Sequence, residues 1–154
     1  MKAAYRSLAM AAVIVMSPPA LASEKECTAI VNALVLMVTQ PIVRQIDTRP
    51  DFPGPITTIF SQDAIYANAG STWKKMDVPA STRIEQMQAL LKEPPLENCK
   101  LVENTDSSVL QYSYDQGPNS ATLWVDATGG LPYQFQTGSV LSKMEYEGVT
   151  VPNP

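Results

Sequence analysis

Ala121-Thr122-Leu123-Trp124-Val125-Asp126-Ala127-Thr128-Gly129-Gly130-Leu131-Pro132-Tyr133-Gln134-Phe135-Gln136-Thr137 is the stretch that decides the architecture. Ala121, Leu123 and Val125 alternate with Thr122, Trp124 and Asp126, the period-two pattern of a strand with one buried face. Thr128-Gly129-Gly130 makes a turn, and Leu131 to Thr137 returns with Tyr133 and Phe135 on one side. Upstream, Leu110, Tyr112 and Tyr114 alternate with Gln111 and Ser113 before a turn at Gln116 to Asn119. Downstream, Gly138 separates a last strand, Val140 to Val151. Turns this short impose antiparallel pairing, so the C-terminal part reads as a four-strand meander. Alternation alone leaves open which face is inward. Large rings turned inward line a pocket, whereas rings turned outward form an exposed patch suited to a protein partner.

Working back from this meander, Thr82 and Glu85 have the spacing of a capping box, and Ile84, Met87, Leu90 and Leu91 follow as the apolar stripe of a helix that Pro94-Pro95 stops. Cys99 comes one short loop later. Ile42–Thr48, Ile56–Phe60, Ala64–Asn68 and Thr72–Val78 carry β-branched and aromatic residues around a Pro50–Pro55 loop and a turn at Gly70, and they read as two or three antiparallel strands. Before them, Cys27, Ile30, Val31, Leu34, Met37 and Val38 recur at spacings of three and four, which predicts a helix over Glu24–Thr39 ended by Pro41. Glu24 and Glu26 then fall in its first turn, favourable for the helix dipole. The opposite side, with Ala33, Val35 and Leu36, is also apolar, so this helix calls for cover on more than one side. Helix, strands, helix, four strands is an α+β order. A curved antiparallel sheet holding both helices on its concave face makes a half-open barrel.

Composition removes whole classes of chemistry. The 154 residues include 11 Lys+Arg, 15 Asp+Glu and no His. Histidine-based triads, Cys–His pairs and His-ligated metals are therefore excluded. A pI near 4.7 argues against a nucleic-acid partner. Asp63, Asp77, Glu85 and Asp126 fall in turns, at strand ends or in the cap, with no pair placed for acid–base work, so no catalytic residue, no metal site and no cofactor is expected. Lys2 and Arg6, the apolar run Leu8 to Met16 and the small-x-small Ala20-Leu21-Ala22 read as a signal peptide over residues 1–22. That run is too short for a bilayer, which takes roughly 20 residues. Residues 23–154 then form one domain, exported to the periplasm and without a transmembrane segment. Two cysteines in such a chain predict one disulfide, Cys27 to Cys99, with alpha carbons about 5 to 6 Å apart. It would lay the first helix beside the segment after the second.

Three segments go further than periodicity. Leu123-Trp124-Val125-Asp126-Ala127-Thr128-Gly129-Gly130-Leu131-Pro132 resembles a tryptophan strand and Gly-Leu-Pro turn, Ile65-Tyr66-Ala67 with Ser71-Thr72-Trp73-Lys74-Lys75-Met76 resembles the paired strands before it, and Met144 to Pro154 resembles a closing strand of the LolA-like superfamily. Members are periplasmic carriers of outer-membrane lipoproteins and related lipid carriers. The resemblance implies a non-catalytic carrier whose helices act as a lid over an apolar cavity for an acyl chain, lipid or lipidated protein. The residues expected to line it are Val31, Leu34, Val38, Met87 and Leu91 from the helices, with Trp73, Tyr112, Trp124 and Phe135 from the sheet. Met37, Met76 and Met87 suit such a cavity because a thioether repacks around varied shapes. The rival reading is a periplasmic interaction module, an enzyme inhibitor or immunity protein, working on an envelope protein through Pro50–Pro55 or Gln116–Asn119.

Overall fold

The computed structural model describes residues 20–102 and 106–153. Most of the expected signal peptide, residues 1–19, lies outside the described residues. Helix α1 (Ala20–Val38) leads into strands β1 (Val43–Thr48), β2 (Ile56–Phe60), β3 (Ile65–Asn68) and β4 (Trp73–Met76). Helix α2 (Ala80–Leu90) is followed by β5 (Leu96–Val102), β6 (Val109–Gln116), β7 (Asn119–Asp126), β8 (Pro132–Thr137) and β9 (Val140–Glu145). The nine strands form one antiparallel sheet in the order β4-β3-β2-β1-β9-β8-β7-β6-β5. It is curved and does not close into a barrel, and the helices pack on its concave face, as the α+β half-barrel reading expects.

The β7–β8 connection explains why its glycines are needed. The Asp126 carboxylate accepts from the Gly129 amide, and the Asp126 carbonyl accepts from the Gly130 amide at 2.9 Å. A Cβ on Gly129 would lie 2.9 Å from that carboxylate, and Gly130 has φ +71, which L side chains rarely adopt. In β8, Phe135 pairs with Leu123 but Pro132 pairs with Val125, so one extra residue is accommodated and strict alternation fails there.

The main core lies between α1 and strands β5–β7. Ile30, Leu34, Tyr112, Tyr114, Leu123 and Val125 are buried in it, so the large rings of β6 turn inward. Cys27 and Cys99 are joined as expected, with alpha carbons 5.1 Å apart. Burial pushes the Tyr114 phenol up to about 12. An acid whose folded pKa is raised contributes stability that is complete below its unfolded value and lost as pH rises through the folded one. Between about pH 10 and pH 12, folding stability should fall by about 2–3 kcal/mol from this residue. Urea unfolding of the wild type and Tyr114→Phe across that range checks it, since the variant should lack this share of the alkaline loss.

Several expectations are corrected. The capping box does not form, because α2 begins at Ala80 with Pro79 as N-cap and no side-chain cap bond. The Ala80 amide is satisfied by the Gln62 carbonyl at 2.8 Å, which removes the need for Thr82. Helix α1 is already continuous from Ala20, so Glu24 and Glu26 sit beyond its first turn. The segment before β6 is a strand, not a loop; Asn98, at φ 52, introduces a bulge that aims Cys99 at α1. The N-terminal meander has four strands. The last strand ends at Glu145, which pairs with Arg44 near the start of β1. Tyr146 instead donates its hydroxyl to the Pro132 carbonyl.

Candidate functional site: an apolar cleft under the two helices

The C-terminal half of α1 and the inner side of α2 do not seal against the central strands. Leu34, Met37 and Val38 descend from α1. Arg83, Met87 and Leu91 follow one another at four-residue spacing along α2, one line of its 3.6-residue period. Two cavities lie beneath. The first, about 200 Å³, is bounded by Met37, Val38, Val43, Phe60, Ile65, Arg83, Met87 and Leu90, with the amides of Gln40, Gln45 and Gln86. The second, about 280 Å³, is bounded by Leu34, Met37, Met87, Leu91, Tyr114, Phe135 and Met144, with Gln45, Gln116 and Ser142. Met37, Gln45, Met87 and Leu90 belong to both walls, so the cavities adjoin beneath the two helices. An engineered apolar cavity of ~150 Å³ already accepts benzene.

Local chemistry explains the unfilled space. On β1 and β9 the concave positions include Gln45, Asp47 and Ser142, polar groups where β6 holds the rings of Tyr112 and Tyr114. Gln45 Nε2 and Ser142 Oγ donate to the same Asp47 Oδ1, at 2.8 and 2.5 Å. Bonded to one another, they lie low and give the cleft a satisfied polar floor. Above, Leu90 is 62% exposed at the rim.

The roof is fastened at its ends. Gln116 Nε2 donates to the Leu90 carbonyl at 2.6 Å and the Pro94 carbonyl at 3.2 Å, tying the end of α2 to β6. Gln116→Ala should cost about 1 kcal/mol, one or two exposed-side bonds being worth that order. Amide exchange at residues 88–92 should quicken more than in the main core, and uniform exchange across the molecule would contradict the clamp.

Of the nine residues expected at the cavity, Leu34, Val38, Met87, Leu91 and Phe135 are brought together in the cleft wall. Val31 and Tyr112 pack in or against the main core and fill space there instead of bordering the cleft. Trp124 sits between buried Leu123 and Val125 on β7 and therefore points to the outer face. Trp73 packs with Ile59, Ala64 and Tyr66 in a second small core. Ile59 pairs with Tyr66 while cleft-lining Phe60 pairs with Ile65, so this second core occupies the sheet face opposite the cleft.

Residues that sequence reasoning passed over are as instructive. Ile84, Met87, Leu90 and Leu91 were expected as the α2 stripe, yet Arg83 is buried and Leu90 exposed. The apolar pattern is rotated because a charged residue occupies an inward position. Val43, Gln45 and Met144 lie on strands whose inner face mixes polar with apolar residues, so periodicity carried no signal. Gln116–Asn119, considered as an inserting loop, is a tight hairpin turn whose Gln116 is bound to α2. Pro50–Pro55 is a mostly exposed loop with Phe52 at its surface.

No protein-family model matches the chain, and no curated protein matches it. Solved structures similar to it include two mycobacterial proteins. Lipoprotein LppX of Mycobacterium tuberculosis has a TM-score of 0.49 at 11% identity, covering 84% of this chain and 99% of the LppX chain. LprF from Mycobacterium bovis has a TM-score of 0.46 at 11% identity, covering 86% of this chain and 98% of its own. Among the described residues, no helix is long and apolar enough to cross a membrane.

Proposed function

We propose that this protein is a non-catalytic binding protein or carrier for an acyl chain, a lipid or a lipidated protein, exported to the periplasm after loss of residues 1–22. One observation carries the reading: the cleft beneath α1 and α2 is apolar along its walls and is left open by the protein's own side chains. Each methylene moved from water into such a space gains about 0.8 kcal/mol. The thioethers of Met37, Met87 and Met144 in the wall can repack around chains of different shape. The cross-link between Cys27 and Cys99 supports an oxidising compartment. The hairpin and strand motifs that resemble the LolA-like superfamily point the same way.

Mechanistically, α2 is the movable part of the roof. It is held by few polar ties and has its exposed Leu90 at the mouth, so parting it from α1 opens both cavities at once. The test is native mass spectrometry and organic extraction of purified protein, together with uptake of the apolar dye N-phenylnaphthylamine. Co-purifying acyl species and a fluorescence rise on dye uptake are expected. A protein that carries nothing and takes up no dye overturns the reading and favours an interaction module.

A further inference from the structure

Arg83 is the only charged residue among the described residues that is buried, at 7% exposure. It occupies the first inward position of α2, four residues before Met87, where the helix would otherwise present an apolar group to the cleft. Its Nη1 donates to the Val78 carbonyl at 3.1 Å and to the Ala64 carbonyl at 3.5 Å. Its guanidinium carbon lies 5.7 Å from the centroid of the Phe60 ring, and both residues form part of the cleft wall.

These contacts fix the group without neutralising it. Two carbonyl dipoles and one ring face supply partial charge only, and the ion pairs among the described residues are Arg44 with Glu145 and Lys75 with Asp77. A buried cation with no counter-anion is an expensive arrangement. Desolvation lowers its pKa, yet a guanidinium remains protonated at neutral pH. The bonds it makes use Nη1, so the edge formed by Nε and Nη2 has no hydrogen-bond partner among the described residues. That edge is the planar fork which engages a carboxylate through two parallel bonds.

We propose that Arg83 selects, among acyl ligands, those that end in a carboxylate. The anion would pair with the Nε and Nη2 edge in the first cavity, and the chain would run past Met37 and Met87 into the second, toward Phe135 and Met144. This rests on the acyl-binding reading above and adds the chemistry of the head group. A purely structural tie to the Val78 and Ala64 carbonyls predicts no such selection, because it is blind to what the ligand's end carries.

The test is displacement of N-phenylnaphthylamine from the intact protein by decanoate and by methyl decanoate, at mildly alkaline pH where the acid is ionised. Decanoate should bind more tightly by roughly ten- to hundredfold, the range of a charge-assisted pair. Arg83→Gln should bring that ratio to near unity, and Arg83→Lys should keep part of the preference. Equal affinities in the wild-type protein overturn the selection and leave the acyl-binding reading standing. Displacement by neither compound overturns both. Because the wild-type ratio decides by itself, a poorly folded Arg83→Gln protein does not blunt the experiment.

Discussion

Joint replacement of Cys27 and Cys99 by serine is expected to destabilise the protein by about 4 kcal/mol, the chain-entropy value for a long closed loop. The bridge spans a sequence separation of 72 and is the covalent link between α1 and β5. Without it, α1 is held by burial of Ile30, Ala33 and Leu34 and by packing on α2. The midpoint of thermal unfolding should fall by ~10–15 °C. Calorimetry of the oxidised, reduced and double-serine proteins checks this, and the last two should coincide. A loss of only a few degrees would mean that α1 is secured by its apolar face alone. Because α1 also roofs the cleft, dye uptake should become weaker and less saturable in the same variant.

Met87→Trp is expected to abolish acyl binding while leaving the fold intact. Met87 belongs to both cavity walls and sits mid-way along the inward line of α2. An indole there occupies the joint between the two cavities, where the thioether leaves room. Overpacking a dense core costs about 1–3 kcal/mol, but this position borders open space, so thermal stability should change little. N-phenylnaphthylamine uptake and decanoate binding should drop by at least ~10-fold, the equivalent of two buried methylenes. Unchanged binding in a folded Met87→Trp protein would move the site out of the cleft. Leu36→Trp, on an exposed α1 position outside both walls, is the control and should bind as the wild type does.

What could be read in advance follows from which interactions are local. The Ala121–Thr137 hairpin was legible because β7 alternates cleanly and the Gly129-Gly130 turn admits few conformations, even though β8 carries one extra residue. The cysteine pairing was legible because only two thiols exist. Strand β5 was hidden by its bulge at Asn98, which breaks the period that a strand must display to be seen. The cap of α2 was misread because the bond that starts the helix comes from Gln62, far along the chain and invisible to a local rule. Leu34, Met87 and Phe135, expected at a cavity from the resemblance, border the cleft. Trp73 and Trp124 were not separable from them, since a strand's two faces are distinguished only by what packs on each. Arg83 escaped altogether, because a charged residue is ordinarily placed outside.

The seam between β1 and β9 joins residues nearly a hundred positions apart, Gln45 opposite Met144 and Asp47 opposite Ser142. The cleft floor is made from both sides of that seam, so neither meander owns it. A nascent or clipped polypeptide lacking residues 140–145 would hold two unconnected ribbons and nowhere to place a guest. On the carrier reading proposed above, a guest could be held only once the last strand has paired with β1.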